Sequence, residues 1–151
     1  GVQIAHPDKL VVDIAGEASV LMTMQEMSTA VQYNLPIKIF ILNNEYMGMV
    51  RQWQELLHEK NYSESYTAAL PDFVKLAEAY GCVGIQATKP DELDEKINEM
   101  INTKEPVIFD CRVDPAENCF PMIPSGKPHN QMLLGPEDEK EEVSDEGKTL
   151  V

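Results

Sequence analysis

The sequence predicts an α/β fold: a doubly wound, mainly parallel sheet flanked by helices. Short apolar runs rich in β-branched residues, at 9–14, 37–42, 83–87 and 107–113, alternate with stretches of helical period. The helical stretches have the length of crossovers between parallel strands. The run 37–42 is apolar on both faces, as a strand covered by helices on both sides must be.

Each element follows from its residues. Val2-Gln3-Ile4-Ala5 has the pattern of a helix end already under way at the first residue, so the chain is expected to continue upstream. The first strand, 9–14, is expected to be buried. Gly16-Glu17-Ala18-Ser19 turns it into a helix with an inward stripe of Val20, Met24, Met27 and Val31, in which methionines are core filler. Asn34-Leu35-Pro36 stops that helix, because the residue before a proline avoids the helical region. After the second strand, Tyr46-Met47-Gly48 starts a loop that becomes a helix with Met49, Val50, Trp53, Leu56 and Leu57 on one face. Residues 58–69 read as a mobile polar connection. A helix over 71–80 is closed by Gly81, and another over 90–101 turns Leu93, Ile97, Met100 and Ile101 inward. After Asp114, five prolines and two glycines from Pro115 to Pro136 exclude regular elements. Two parts are expected: 1–114, an α/β domain holding the ligand site, and 115–151, a lid-like tail, acidic and disordered after about 135.

The chemistry gathers at the first two strand ends. In a strand-turn-helix, the amides of Ala18, Ser19 and Val20 point away from the strand, and the helix dipole favours an anion there. Glu17 and the Asn43-Asn44 pair stand at carboxyl ends of neighbouring strands, where such sheets bind ligands. A carboxylate and an amide oxygen on one hard cation with a phosphate in its shell is one reading. A plain first-turn acid with asparagines closing a turn is the other, and spacing alone leaves both open.

Composition narrows the partners. The 151 residues suit one substantial core, and 26 acids against 12 bases give a formal charge of −14, which argues against nucleic acid. The acidic run 137–146 reads as a solvated tail. Cys82, Cys111 and Cys119 show neither zinc spacing nor an even-numbered disulfide framework, which points to a reducing cytoplasm. No apolar run reaches the roughly 18 residues that span a bilayer, so no membrane partner is expected.

Gly16-Glu17-Ala18-Ser19, Met22-Thr23, Glu26, Thr29-Ala30-Val31, Leu35-Pro36-Ile37-Lys38-Ile39 and Leu42-Asn43-Asn44 resemble the thiamine-diphosphate motif of acetohydroxyacid synthase (acetolactate synthase) catalytic subunits. Gly48-Met49-Val50 with Gln52-Trp53-Gln54 is the more specific match. Pro71-Asp72-Phe73, Lys75-Leu76-Ala77-Glu78-Ala79 and Pro121-Met122 extend the likeness to about Leu134.

The resemblance implies the thiamine-diphosphate-binding fold and an enzyme that condenses pyruvate with pyruvate or 2-oxobutyrate, losing CO2, in branched-chain amino acid biosynthesis. It implies magnesium held by Glu17, Asn44 and the backbone carbonyl of Tyr46. Gly16, Ala18, Ser19, Gly48, Met49 and Val50 would bind cofactor, and Met49 and Trp53 would line the substrate and inhibitor pocket. FAD would bind mostly outside this chain. A pyrimidine-binding domain, a homodimer or larger assembly and a regulatory subunit are the implied partners. No catalytic residue is expected within the chain, because the acid that activates the cofactor belongs to the other domain in the family. The fragment alone is therefore expected to be inactive.

Two departures bear on the site. Where many relatives have Glu-Gln-Gly-Met, this chain has Tyr46-Met47-Gly48-Met49, which removes a polar amide from the pocket rim. The family's metal-binding acid is usually aspartate, and Glu17 carries its carboxylate one methylene further out. Two other readings stand beside the synthase. A pyruvate oxidase or glyoxylate carboligase would share the motif at 16–44 but not Met49-Val50-Arg51-Gln52-Trp53. A non-catalytic interaction module of the same fold would find its best argument in Glu17.

Overall fold

The structure is a computed structural model and describes residues 1–67 and 69–135. The acidic tail expected after about 135 lies outside the described residues. The chain divides into two compact units, Gly1–Tyr46 with Thr67–Pro115, and Met47–Tyr66 with the stretch from Ala116 onward.

The first unit holds four parallel strands, β1 (Val12–Gly16), β2 (Lys38–Asn43), β3 (Val83–Ala87) and β4 (Val107–Arg112), in the order β1-β2-β4-β3. Its helices are α1 (Val2–Ala5), α2 (Glu17–Thr23), α3 (Met27–Gln32), α5 (Phe73–Tyr80) and α6 (Leu93–Asn102). The sheet is wound on both sides, as predicted. On one face Ile41 and Ile108 pack with Val20, Met27, Ala30, Phe73 and Ala77 from α2, α3 and α5. On the other, Ile85, Val107 and Phe109 pack with Met100 of α6, and Phe40 meets Phe109 edge to face at 4.7 Å.

Local chemistry sets the element ends. Asp72 caps α5 by accepting the Val74 and Lys75 amides at 3.1 Å, and Gly81 closes it at φ +83. A methyl group on Gly84 of β3 would stand 2.8 Å from the Val74 backbone, so the missing side chain lets α5 lie on the sheet. Lys38, at the start of β2, is 1 % exposed, with Nζ donating to the Thr103 and Glu105 carbonyls at 2.6 and 2.7 Å. It ties the β2 start to the turn after α6.

Several expectations fail on burial. The first strand begins at Val12 and is an exposed edge, with Val12 40 % and Ile14 68 % exposed. β1 pairs on one side, and among the described residues no helix covers its α6-side face. The single helix expected after Glu17 is broken by a 3₁₀ turn at Met24–Glu26, where Thr23 leaves helical geometry at φ −135. Met27 and Ala30 thereby turn inward, while Met24 and Val31 are half-buried. Ile101 is also exposed, because α6 begins at Leu93 after a 3₁₀ turn at Pro90–Glu92 and presents Met100 instead.

The second unit is built on α4 (Gly48–Leu57). Its expected apolar face is inverted at the start: Met49 and Val50 are exposed, while Arg51 and Gln52 are buried. Arg51 donates to the Ala116 carbonyl and Asn118 Oδ1, both at 2.6 Å. Gln52 donates to the Cys119 carbonyl at 3.0 Å and accepts its amide at 2.7 Å. Two buried polar side chains thus order a backbone that has no ladder of its own. Met122 and Leu133 form an antiparallel bridge further on.

Candidate functional site

β1 ends in Gly16 and α2 starts at Glu17; β2, alongside, ends in Asn43. The register pairs Gly16 with Leu42, so Glu17 and Asn44 leave adjoining strand ends on the carboxyl edge of the sheet. Glu17 is 1 % exposed. Its carboxylate accepts the Thr67 hydroxyl at 3.3 Å, and the backbone amides of Glu17 and Asn44 add a pull towards the charged form. Burial pushes the Glu17 pKa above its ordinary value, against the pull of these hydrogen bonds and of the Arg112 charge. A carboxylate raised by desolvation is a group that a cation at that point would stabilise.

The turn after β2 carries the other donors. Asn44 Oδ1 accepts the Tyr46 amide at 3.2 Å, and a carbonyl oxygen keeps a second lone pair for another partner. Between them Glu45 adopts φ +62, a left-handed conformation that costs a residue with a side chain. Three contacts hold it there: its amide donates to Asn43 Oδ1 at 3.2 Å, its carbonyl accepts the Thr67 amide at 2.8 Å, and its carboxylate accepts Arg112 Nη1 at 2.7 Å. Arg112 also donates through Nε to Asp110 Oδ2 at 3.2 Å. Asp110, fully buried, accepts Asn43 Nδ2 at 2.8 Å and Gln86 Nε2 at 2.9 Å.

The donor set fits a small hard cation. A carboxylate, an amide oxygen and a loop carbonyl are the kind of donors such an ion takes, and they would leave room for phosphate oxygens and water. Among the described residues no three His, Cys, Asp or Glu side chains gather as a metal cluster, so a cage of charged ligands is not what this site offers. Gly16 is the N-cap of α2, with no side-chain hydrogen bond across the cap; Ala18 is half-buried and Ser19 exposed.

In the second unit, Gly48 opens α4, and Met49, Val50 and Trp53 line a groove of about 280 Å³ with Gln54 and His58. Gln54 Oε1 and His58 Nε2 are buried there without a hydrogen-bond partner among the described residues. Sequence reasoning singled out Glu17, Asn44 and Tyr46 but missed Thr67, Glu45, Asp110 and Arg112. Asp110 had a signal, a lone acid inside an apolar strand. Thr67 had none, since it ends a stretch without periodicity.

Residues 1–111 match the family model described as thiamine pyrophosphate enzyme, C-terminal TPP binding domain. The chain belongs to this family. It is 45 % identical over 141 residues to the acetolactate synthase large subunit of Haemophilus influenzae, covering 93 % of this chain and 25 % of that one. It is 48 % identical over 134 residues to the large subunit of Cyanidium caldarium, covering 88 % and 23 %. To the mitochondrial acetolactate synthase catalytic subunit of Saccharomyces cerevisiae it is 45 % identical over 144 residues, covering 95 % and 21 %. The solved thiamine diphosphate-dependent 4-hydroxybenzoylformate decarboxylase of Rhodococcus jostii RHA1 superposes with a TM-score of 0.68 at 27 % identity, over 74 % of this chain and 21 % of that one. The resemblance read from the motifs is therefore borne out, as are the thiamine-diphosphate fold and the parallel, doubly wound sheet. This TPP-binding domain spans about a quarter or less of the length of the acetolactate synthase subunits it matches. No helix among its described residues is long and apolar enough to cross a membrane.

Proposed function

We propose that this TPP-binding domain holds the diphosphate end of the cofactor in an acetolactate synthase catalytic subunit. The observation that carries the reading is the buried Glu17 carboxylate, bonded to Thr67, at the end of β1 beside the end of β2 that carries Asn44. Glu17, Asn44 Oδ1 and the Tyr46 carbonyl would take magnesium. Gly16, Ala18 and Ser19 would meet the diphosphate at the head of α2. Gly48, Met49 and Val50 are assigned to the cofactor by the family motif, and the groove at Met49 and Trp53 to the 2-oxoacid or an inhibitor. Residues 1–114 are assigned to ligand holding and 115–151 to a lid-like tail.

Thiamine diphosphate supplies the carbanion chemistry that removes CO2 from pyruvate and joins the remaining two carbons to a second 2-oxoacid. The chain's own residues bind and orient: Glu17 offers a charge held in place by Thr67, and the 43–46 turn fixes the neutral oxygens. FAD, a pyrimidine-binding domain, a homodimer or larger assembly, a regulatory subunit, 2-oxobutyrate as second substrate and a cytoplasmic location complete the proposal. They rest on the likeness to acetolactate synthases.

Calorimetric titration of thiamine diphosphate into the purified chain, with and without magnesium, tests the reading. Magnesium-dependent binding that is lost in Asn44→Ala supports it. Binding indifferent to magnesium and to Asn44→Ala contradicts it. The chain alone is expected to form no acetolactate, and turnover without added subunits would overturn the division of labour between domains.

A further inference from the structure

We infer that Arg112 and Asp110 are positioning residues that hold the 43–46 turn in its metal-ready conformation, with Glu45 as the residue they act through. The inference deepens the metal reading of Glu17, Asn44 and Tyr46 and rests on it.

Glu45 is the strained residue of the turn. Its φ of +62 lies where residues with side chains are uncommon and strained. Within the turn, the Asn43 and Asn44 side chains accept the Glu45 and Tyr46 amides at 3.2 Å. Further support comes from β4. Arg112 Nη1 grips the Glu45 carboxylate at 2.7 Å while Nε of the same guanidinium sits 3.2 Å from Asp110 Oδ2. Asp110 is fully buried, and its other oxygen holds Asn43 Nδ2 at 2.8 Å. That bond orients the Asn43 amide so that Oδ1 faces the Glu45 amide. The turn is thus clamped at its first and third residues from one strand. The residues between and after, Asn44 and Tyr46, are the ones that would present oxygens to the ion. Thr67 closes the circuit, donating its amide to the Glu45 carbonyl and its hydroxyl to Glu17. Arg112 can do this because a guanidinium makes two directed bonds from a planar fork, which an ammonium cannot.

The test uses the 151-residue chain and two readouts. The first is hydrogen exchange at the Glu45 and Tyr46 amides without ligand. The second is the magnesium-dependent affinity for thiamine diphosphate. Arg112→Gln is expected to speed exchange at both amides while leaving β3 and β4 protected, and to weaken affinity about 10-fold or more, the usual effect of removing a partner that orients a ligand. Adding Glu45→Gly should restore most of that affinity, because glycine occupies the left-handed region without the clamp. A merely structural role for Arg112 in the sheet would not be rescued at Glu45. Unchanged exchange at 45 and 46 in Arg112→Gln, or loss of protection throughout β4 with no rescue, overturns the clamp. If the exchange result holds but Asn44→Ala binds thiamine diphosphate and magnesium as the parent does, the metal reading falls and the proposed purpose of the clamp falls with it. Should Arg112→Gln fail to fold, Asp110→Asn is read in the same two ways. There a donor replaces the acceptor facing Asn43, and exchange should rise first at Glu45.

Discussion

Replacing Lys38 with methionine should cost this domain about 2–3 kcal/mol. Lys38 is buried and its ammonium is bonded to two carbonyls, Thr103 at 2.6 Å and Glu105 at 2.7 Å. Methionine fills a similar volume but offers no donor, so both acceptors lose their partner, at about 1–3 kcal/mol for the half-buried Thr103 and less for the exposed Glu105. Thr103 caps the C-terminus of α6, where a positive charge contributes about 0.3–1 kcal/mol more through the helix dipole. Against this, methionine removes the burial of a charge, which offsets part of the loss. At about 2–4 °C per kcal/mol for a chain of this size, the melt should fall by about 4–12 °C. The pH dependence adds a second signature. Burial lowers the Lys38 pKa below its ordinary value, opposed by the Glu105 charge. Between that lowered value and the ordinary one the unfolded chain holds a proton that the folded chain has released, so the parent gains stability as pH rises through this window. Lys38→Met lacks that gain, and its deficit should widen there. Circular dichroism melts and urea midpoints from neutral pH upward measure both effects. A melt within about 1 °C of the parent's would refute the reasoning, since it would mean that the two carbonyls find water at no cost.

Three more outcomes are expected. The raised pKa of Glu17 means the folded chain keeps a proton that the unfolded chain has lost, and the stability this gives at low pH disappears as pH rises through the folded value. Glu17→Gln should remove that slope in urea midpoints taken across the acid-to-neutral range, while abolishing magnesium-dependent binding. Gly84→Ala should destabilise by about 1–3 kcal/mol, because the new methyl meets the Val74 backbone rather than a movable side chain; an unchanged urea midpoint would contradict it. Gln52→Leu should unpair both the amide and the carbonyl of Cys119, raising hydrogen exchange at 116–122 with little effect on the sheet.

The α/β class and four strands were legible because apolar runs and helical periods alternate without ambiguity, and Asp72 and Gly81 mark α5 by their chemistry. The order β1-β2-β4-β3 was not, because no local signal says that the last strand inserts between the second and third. Two burial errors share one cause. Val12 and Ile14 look like core residues and Arg51 and Gln52 look like surface, but burial depends on what covers a face, and composition does not report that. At the site, Glu17 and Asn44 could be found because each stands at the end of its own strand. Their supports could not: Thr67 and Arg112 reach Glu17 and Glu45 across 50 and 67 positions, and those pairings exist only once the strand order is known.

The central claim is that Glu17, Asn44 and Tyr46 share one metal ion beside the diphosphate. Crystals of the chain grown with thiamine diphosphate and Mn2+ in place of magnesium, measured at the manganese absorption edge, test it most directly. One anomalous peak is expected about 2.0–2.3 Å from a Glu17 carboxylate oxygen, Asn44 Oδ1 and the Tyr46 carbonyl oxygen. A peak bound by other groups, or cofactor density with Glu17 still turned to Thr67 and no metal beside it, would contradict it.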